Sequence, residues 1–325
     1  MVHCLSKIFP LSYFSYILIT NTALFFLSSF FIKKISPKPI IGVYGNSNPE
    51  NNDTYINGTY YPRSYIMWLE SFGAEVMAIH YWYSYDLLDE ILAKVSGILF
   101  LGGSRDFIKE GIWEQKAKYL MDASLKLKLP LWGTCQGFQL IATLISDNYS
   151  LMKYGFDDIN SLHNLELVGD GRKSRMFSLF KDKDFELLEK TNSTIYYHNY
   201  GFYPAEFEKE TKLMNLFNIT SISQGYNKII FVDSYEGKSE DINFFAVQFH
   251  PEKNPYKRIN YNVEPNMESL RVSQLLGMKF VEITRNNKNY FDKEDRERFD
   301  FFDTYQGKGN AVFNKEDDYY YFSKK

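Results

Sequence analysis

Cys135 lies in the pattern of this chain that most specifically indicates chemistry. Gly133 and Gly137 stand two residues before and after it, which makes a G-x-C-x-G segment. The segment falls between an apolar run at residues 129–132, which predicts a strand, and a helical pattern at residues 138–145. A strand-to-helix turn with flanking glycines is the sequence form of a nucleophile elbow, in which the central side chain projects from a strained turn. The chemistry that this predicts is nucleophilic attack by a thiolate.

The alternative for Cys135 is a buried structural cysteine, which is the usual fate of a lone thiol. The predicted turn would instead place the residue at a helix N-terminus, where the helix dipole favours a thiolate. An arbitrary cysteine would rarely have glycine at both positions in a strand-to-helix turn. The pattern therefore favours the functional interpretation.

A thiolate nucleophile needs a base, and His250 stands out among the five histidines. It ends an apolar run at residues 244–249 and is followed by Pro251 and Glu252. Residues i and i+2 of an extended segment point the same way, so the carboxylate of Glu252 can orient the imidazole. A surface histidine followed by a turn is the alternative, and taken alone the spacing is only suggestive.

Acyl transfer also needs hydrogen-bond donors for an oxyanion. The backbone N–H of Gln136, directly after the cysteine, is one candidate. Gly103 is the second, because Gly102 and Gly103 follow an apolar run at residues 97–101. A simple tight turn is the alternative for these glycines. It is disfavoured because ligands of open α/β sheets bind at the carboxyl ends of the strands, where the cysteine and the histidine are also expected.

Alternating strands and helices must position these residues. The predicted strands are residues 39–44, 75–79, 97–101 and 129–132, and the predicted helices are residues 63–72, 87–94, 112–126 and 138–145. Strands at residues 165–168, 229–233 and 244–249 and a helix at residues 267–284 follow, and residues 46–61 are predicted to form a loop. The alternation, with near-continuous apolar strands, predicts an α/β fold with a mostly parallel sheet flanked by helices.

Composition narrows the class of protein. The 325 residues carry 37 basic and 40 acidic side chains, and a formal net charge of −3 offers no general footprint for nucleic acid. Cys4 and Cys135 are the two cysteines. Two thiols exclude a disulfide scaffold and a cysteine-based zinc site.

The two ends of the chain differ from its middle. Residues 8–32 carry no charge and are largely apolar, so the leader, residues 1–35, is predicted to be a signal peptide or a membrane anchor. The tail, residues 288–325, holds 8 basic and 9 acidic residues without a sustained period, and is predicted to be flexible. Sequons for N-glycosylation support a secretory route and lie at Asn52, Asn57, Asn148, Asn192 and Asn218.

Together, the cysteine and histidine motifs resemble the class I glutamine amidotransferase-like superfamily, and more closely its gamma-glutamyl hydrolase family. The resemblance runs over residues 38–287 and includes residues 38–42, 60–61, 69–74, 97–104, 174–177 and 250–256. It implies that residues 36–287 form a flavodoxin-like α/β domain that contains a nucleophile elbow.

The resemblance also implies the reaction. It indicates a cysteine hydrolase that cleaves γ-glutamyl amide bonds, with folylpoly-γ-glutamates as small-molecule substrates and no metal or cofactor. By motif, Cys135 matches the nucleophile, His250 the catalytic histidine and Glu252 the acid beside it. The candidates for substrate binding are His198, Tyr61, Gly102 and Arg175, and the candidate cations for substrate carboxylates are Arg63, Arg105 and Arg175.

Members of that family are lysosomal, vacuolar or secreted, which agrees with the leader. The expected partners are the substrate and a second copy of the chain in a homodimer, with no nucleic acid. A membrane would be contacted only through an uncleaved leader.

Two other functions stay open at this point. One is a glutaminase subunit that feeds ammonia to a synthase partner, for which this chain carries no synthase segment. The other is a non-catalytic, membrane-tethered binding protein on the same scaffold, which loss of Cys135 or His250 would have indicated. An α/β-hydrolase is disfavoured, because its acid lies between nucleophile and histidine, whereas Glu252 follows His250.

Overall fold

The computed structural model of this chain describes residues 38–47, 58–255, 266–287, 289–302, 310–313 and 318–324. The leader and the sequons at Asn52 and Asn57 lie outside these residues. Among the helices in the described ranges, none has both the length and the apolar character needed to cross a membrane.

The helices and strands of the described residues follow the predicted alternation in the first half of the chain. The strands are β1 (Ile40–Tyr44), β2 (Asn46–Ser47), β3 (Gly58–Pro62), β4 (Glu75–Ile79), β5 (Gly97–Phe100), β6 (Leu131–Thr134), β7 (Lys153–His163), β8 (Glu166–Leu167), β9 (Thr194–Gly201), β10 (Phe217–Gln224), β11 (Ile230–Gly237), β12 (Phe244–Val247), β13 (Asn310–Phe313) and β14 (Asp318–Ser323). The α-helices are α1 (Arg63–Ser71), α2 (Tyr85–Leu92), α3 (Ile112–Leu127), α4 (Gln136–Ser146), α5 (Asp182–Lys190), α6 (Pro204–Phe207), α7 (Thr211–Leu216), α8 (Met267–Thr284) and α9 (Lys293–Arg298).

An eight-stranded sheet forms the centre of the fold, in the order β4-β1-β5-β6-β12-β11-β10-β8. The first five strands in this order pair in parallel, and the pairings from β12 onward are antiparallel. The predicted mostly parallel sheet is therefore confirmed. Parallel strands end at the same edge, so the residues that follow β1, β5, β6 and β12 are brought together there.

The strands at the centre of this sheet are buried on both faces. Every residue of β1, β5, β6 and β12 is buried, as expected for parallel strands covered by helices. Leu120 of α3 and Phe138 of α4 belong to one apolar layer, and Trp68 of α1 and Phe280 of α8 belong to the other. The two layers hold the sheet between them.

Two smaller sheets were not predicted. One has the order β13-β14-β3-β2 and the other pairs β7 with β9. The strand β3 begins within residues 46–61, the segment predicted as a loop. In β7, positive φ angles at Asp157 and Asn160 accompany shifts of register against β9. Such bulges interrupt the alternation by which a strand is recognised in sequence.

The described part of the tail is folded, which corrects the prediction of a flexible segment. Phe291, Phe299 and Phe301 are buried in the same apolar layer as α3. The strand β14 pairs with β3, and the described residues from Lys38 onward belong to one compact unit.

The many charged residues of the tail led the sequence analysis to miss the burial of its aromatic side chains. In the described part of the tail, Arg298 pairs with Glu90 at the surface, and the buried carboxylate of Asp295 pairs with Lys94. The phenylalanines between them gain a partner only when the sheet is formed, so a count of charges could not reveal their burial.

Replacement of Phe301 by alanine tests whether the tail contributes to stability. Phe301 is 2% exposed and its backbone bridges to Met77 of β4. We expect Phe301→Ala to lower the free energy of unfolding by about 3–5 kcal/mol, because a buried aromatic side chain is lost. Chemical denaturation measures this change.

The control for this experiment is Tyr290→Ala, in the same segment. Tyr290 is 70% exposed, so the free energy of unfolding should change by less than about 0.5 kcal/mol. An equally small change in the free energy of unfolding of Phe301→Ala would contradict a folded tail and support the prediction of a flexible one.

Candidate active site

The turn between β6 and α4 presents Cys135 at the carboxyl edge of the sheet. Its backbone has φ +50° and ψ −104°, which residues other than glycine rarely adopt. The N–H of Cys135 donates to the carbonyl of Val247 at 2.8 Å, and its own carbonyl accepts from the N–H of Gln139 at 3.0 Å. A strained turn held in this way is what a nucleophile elbow requires.

Gly133 and Gly137 give this turn the space that it needs. A Cβ atom on Gly133 would lie 2.8 Å from the backbone of Gly137, and one on Gly137 would lie 2.3 Å from the carbonyl oxygen of Phe100 in β5. Any larger residue would push α4 away from the sheet. Close packing of the helix on the strands therefore explains the G-x-C-x-G pattern.

His250 follows β12, the strand beside β6, and lies at the same edge as Cys135. Its backbone N–H donates to the carbonyl of Ile195 in β9 at 2.8 Å. Its Nδ1 lies 2.7 Å from Oε1 of Glu252, and both residues are buried. A carboxylate only accepts, so Nδ1 carries the hydrogen and Nε2 is left for proton exchange with the nucleophile.

The charges around His250 favour its protonated form. Burial lowers the pKa of His250, but the negative charges of Glu252 and Cys135 outweigh burial and raise that pKa to about 9. Burial raises the pKa of Glu252, and the charge of His250 overrides it, so the pKa of Glu252 is lowered. A protonated imidazole beside a cysteine stabilises the thiolate that attacks.

The loop after β5 closes the site from the other side. A Cβ atom on Gly102 would lie 2.8 Å from Cε1 of His250 and 3.4 Å from Cβ of Cys135, so Gly102 lies against both. Gly103 and Gln136 line the same cavity. Gln136 is the first residue of α4, where a backbone N–H has no partner within the helix. The residues that carry the two predicted oxyanion donors therefore line the same cavity as Cys135.

These groups open into one cavity of about 310 Å³, a volume that suits a small molecule. Its wall combines the loop after β5, the start of α4, the strand β9 and one residue of the tail strand β14. Further residues that line it are Tyr60, Tyr65, Arg105, Gln139, His198, Lys253 and Tyr319.

His198 lines this cavity, as expected for a substrate-binding residue. Its Nδ1 donates to the carbonyl of Tyr200 at 2.9 Å. Its Nε2 has no hydrogen-bond partner among the described residues. Burial lowers the pKa of His198 to about 4, although Asp158 opposes this shift. The imidazole is therefore neutral near pH 7, and Nε2 can accept a hydrogen bond.

Tyr61, which was expected to bind substrate, does not line the cavity. Successive side chains of a strand point to opposite faces, and it is Tyr60 that lines the cavity. The hydroxyl of Tyr61 donates to the carbonyl of Ile79 at 2.9 Å. The predicted contact is corrected by one position along β3.

Arg175 also lies elsewhere, which corrects its predicted role. Its guanidinium donates to Oδ1 of Asn243 and to the carbonyls of Gly237 and Ile242, each at 2.8 Å. These bonds hold the loop that precedes β12, at the end of that strand opposite to His250. Arg175 therefore stabilises the fold far from the cavity.

Sequence reasoning missed two residues that contact Gly102. The hydroxyl of Tyr65 accepts from the N–H of Gly102 at 2.9 Å, and the side-chain amide of Asn46 donates to its carbonyl at 2.7 Å. The place of Asn46 just after β1 could have indicated its position at the sheet edge. In the sequence, Tyr65 has the pattern of an ordinary buried position of α1, and no signal indicated that it lies at the site.

Comparison with known proteins agrees with this fold. The glutamine amidotransferase class-I family model matches residues 58–263. The glutaminase domain of a Trypanosoma brucei CTPS, solved with bound acivicin, has a TM-score of 0.51 at 16% identity and covers 81% of this chain and 99% of that chain. This likeness concerns the fold alone.

Curated relatives narrow the class further. Human gamma-glutamyl hydrolase is 31% identical, over 80% of this chain and 82% of that protein. Gamma-glutamyl hydrolase B of Dictyostelium discoideum is 26% identical, over 89% and 82%. Gamma-glutamyl hydrolase 1 of Arabidopsis thaliana is 27% identical, over 78% and 73%. The chain therefore belongs to the class-I glutamine amidotransferase family, and within it to the gamma-glutamyl hydrolases.

The pH dependence of activity tests the pairing of His250 with Glu252. A group with a raised pKa stays protonated until the pH passes that pKa, so kcat/KM should fall on the alkaline side near pH 9 if imidazolium protonates the leaving group. Glu252→Gln removes the charge that raises this pKa, and the alkaline limb should move to lower pH. The measurement is kcat/KM against pH.

Glu236→Gln is the matched control. Glu236 is also a buried carboxylate, but it accepts from the backbone N–H groups of Arg175 and Met176, far from the cavity. Its profile should keep the wild-type limb. An unmoved limb in Glu252→Gln would contradict the assigned pair.

Proposed function

We propose that this chain is a cysteine hydrolase that cleaves γ-glutamyl amide bonds of small-molecule substrates, with folylpoly-γ-glutamates as the class that its relatives favour. The observation that carries the proposal is the strained elbow of Cys135 beside the buried pair of His250 and Glu252. Cys135 and His250 line one cavity, Glu252 is buried behind His250, and the relatives that match most of the chain are named gamma-glutamyl hydrolases.

The first half of the reaction forms a thioester. The thiolate of Cys135 attacks the γ-carbonyl carbon of the scissile amide, and the proton of the thiol resides on His250. The negative charge moves to the carbonyl oxygen, where the N–H groups of Gly103 and Gln136 stabilise it. Loss of one such donor costs about 2.7–4 kcal/mol in comparable enzymes. The C–N bond then breaks, and imidazolium protonates the leaving amine.

The second half returns the enzyme to its resting state. Water attacks the thioester carbon, and neutral His250 accepts its proton. The same oxyanion donors hold the second tetrahedral intermediate. Collapse of that intermediate expels the thiolate of Cys135, which pairs again with the imidazolium of His250, and releases a γ-carboxylic acid that loses its proton to solvent. No metal or cofactor enters the scheme.

Of the three candidate arginines, Arg105 is the one best placed for the free carboxylates of such a substrate. It lines the cavity, and Nη1 donates to Ser47 Oγ at 2.6 Å. Its Nε lies 3.6 Å from Oε1 of Glu114. A guanidinium has five N–H donors, so these contacts leave donors for a carboxylate. Arg63 is exposed and lies 3.8 Å from Asp318.

The cellular setting follows from the same proposal. A leader at residues 1–35 and sequons favour the secretory pathway, with the lysosome, the vacuole or the extracellular space as destination. Asn192 and Asn218 are exposed, which suits attachment of a glycan. A homodimer remains an expectation drawn from the resemblance.

Hydrolysis of a γ-linked glutamyl peptide is the direct test. We expect the purified protein to release glutamate from such a peptide and Cys135→Ala to abolish release, because no other nucleophile is placed at the elbow. Mass spectrometry of products measures both. A folded wild-type protein that releases glutamate from no γ-linked substrate would contradict the proposal.

Free glutamine separates this function from a glutaminase. A hydrolase of γ-glutamyl peptides should cleave the peptide with far higher kcat/KM than it deaminates glutamine. The reverse ratio, or stimulation of glutaminase activity by a synthase, would support the amidotransferase alternative.

The role of Arg105 can be measured with paired substrates. Arg105→Ala should raise KM about tenfold and change kcat less, because it removes binding that ground state and transition state share. A substrate with its α-carboxylates converted to amides should lose this dependence on Arg105. Arg63→Ala is the control and should leave KM unchanged. An equal rise of KM for the carboxylate and the amide substrate in Arg105→Ala would contradict recognition of carboxylate by Arg105.

A further inference from the structure

The peptide unit between Gly102 and Gly103 is held from both sides by buried side chains. The N–H of Gly102 donates to the hydroxyl of Tyr65 at 2.9 Å. The carbonyl of Gly102 accepts from Nδ2 of Asn46 at 2.7 Å. Asn46 and Tyr65 are 0% and 2% exposed, so water does not compete for these bonds.

Because a peptide unit is planar, the hydrogen bond from Asn46 also fixes the orientation of a proposed oxyanion donor. The carbonyl of Gly102 and the N–H of Gly103 belong to one peptide unit, and the described residues contain no cis peptide bond. In a trans peptide these two groups point in opposite directions. Fixing the carbonyl of Gly102 on the Asn46 side therefore fixes the direction of the N–H of Gly103 on the other side.

The packing leaves little freedom for this peptide to rotate. A Cβ atom on Gly102 would lie 2.6 Å from the hydroxyl oxygen of Tyr65, and one on Gly103 would lie 2.6 Å from Nδ2 of Asn46. The two side chains thus touch the backbone closely.

Tyr65 connects the same peptide to the catalytic pair. Its hydroxyl oxygen lies 3.4 Å from Nδ1 of His250 and accepts the N–H of Gly102. The hydroxyl also interacts with Glu252, and burial with the charges of Glu252 and Cys135 raises the pKa of Tyr65. Tyr65 therefore stays protonated, and its hydrogen is available to the carboxylate of Glu252.

We propose that Asn46 and Tyr65 are positioning residues that hold the Gly102–Gly103 peptide so that the N–H of Gly103 meets the oxyanion. Asn46 sets the direction of this donor, and Tyr65 couples the donor to His250 and Glu252. The inference rests on the proposed hydrolysis through Cys135. Neither residue was singled out by a motif.

Asn46→Ala tests the first part. We expect kcat to fall about tenfold to hundredfold with little change in KM, because a misplaced donor weakens the transition state and not the bound substrate. The affinity for a γ-glutamyl aldehyde, which forms a tetrahedral adduct with the thiol, should fall by a similar factor. Alkylation of Cys135 by iodoacetamide should keep its rate, because this reaction forms no oxyanion.

Asn46→Asp and Tyr65→Phe provide the same test if the alanine variant does not fold. Asn46→Asp preserves size but replaces the donor with an acceptor, and Tyr65→Phe removes only a hydroxyl. Each should lower kcat. The double variant should lose less than the product of the two factors, since both changes release one peptide.

Two matched controls separate positioning from general stability. Asn287→Ala removes an amide that donates at 3.0 Å to the carbonyl of Ser96, just before β5. Tyr44→Phe removes a buried hydroxyl that donates at 2.7 Å to the carbonyl of Trp113. Both should keep wild-type kcat and aldehyde affinity.

The outcomes distinguish this inference from the proposed function. Wild-type turnover with kcat unchanged in folded Asn46→Asp and Tyr65→Phe would overturn the positioning role alone. A parallel loss of alkylation rate would also overturn it, since the defect would then lie in the thiolate. A wild-type protein without hydrolysis of any γ-glutamyl substrate would instead overturn the proposed function.

Discussion

The parallel pairing of β5, β6 and β12 is the constraint on which the site depends. Gly133 of β6 pairs with Phe100 on one side and with Ala246 on the other. This register makes the three strands end together, so the loop with Gly103, the elbow and His250 meet at one edge. A slip of one residue in either pairing would turn the side chains to the opposite face and separate these groups. The apolar layers on both faces of the sheet hold the register.

Burial of charge imposes the second condition. Glu252 and His250 lie in an interior from which an unpaired charge would be excluded, and each is tolerated because the other neutralises it. The strained backbone of Cys135 is likewise maintained by its surroundings, because α4 packs on glycines that leave no room for relaxation. Stability of the core and readiness of the nucleophile are thus linked.

The hydrogen bonds of Asn46 and Tyr65 to Gly102 apply the same constraint to the backbone. Oxyanion stabilisation depends on donors that are in place before charge develops, since reorientation during the reaction would consume the benefit. Asn46 after β1, Tyr65 of α1 and the loop after β5 come from three separate elements. Their meeting point is again the carboxyl edge of the sheet.

The sequence by itself determined the alternation of strands and helices, the elbow at Cys135 and the partnership of His250 with Glu252, because periodicity, glycine spacing and i, i+2 geometry are local. It misplaced Tyr61 and Arg175 and concealed the folded tail, because the face of a short strand, the partner of a guanidinium and the burial of an aromatic ring depend on distant segments. Only the tertiary structure decided which of the candidate arginines lines the cavity and which side chains hold the peptide between Gly102 and Gly103. Those contacts join residues far apart in the chain, and close packing selects them only after the sheet has formed.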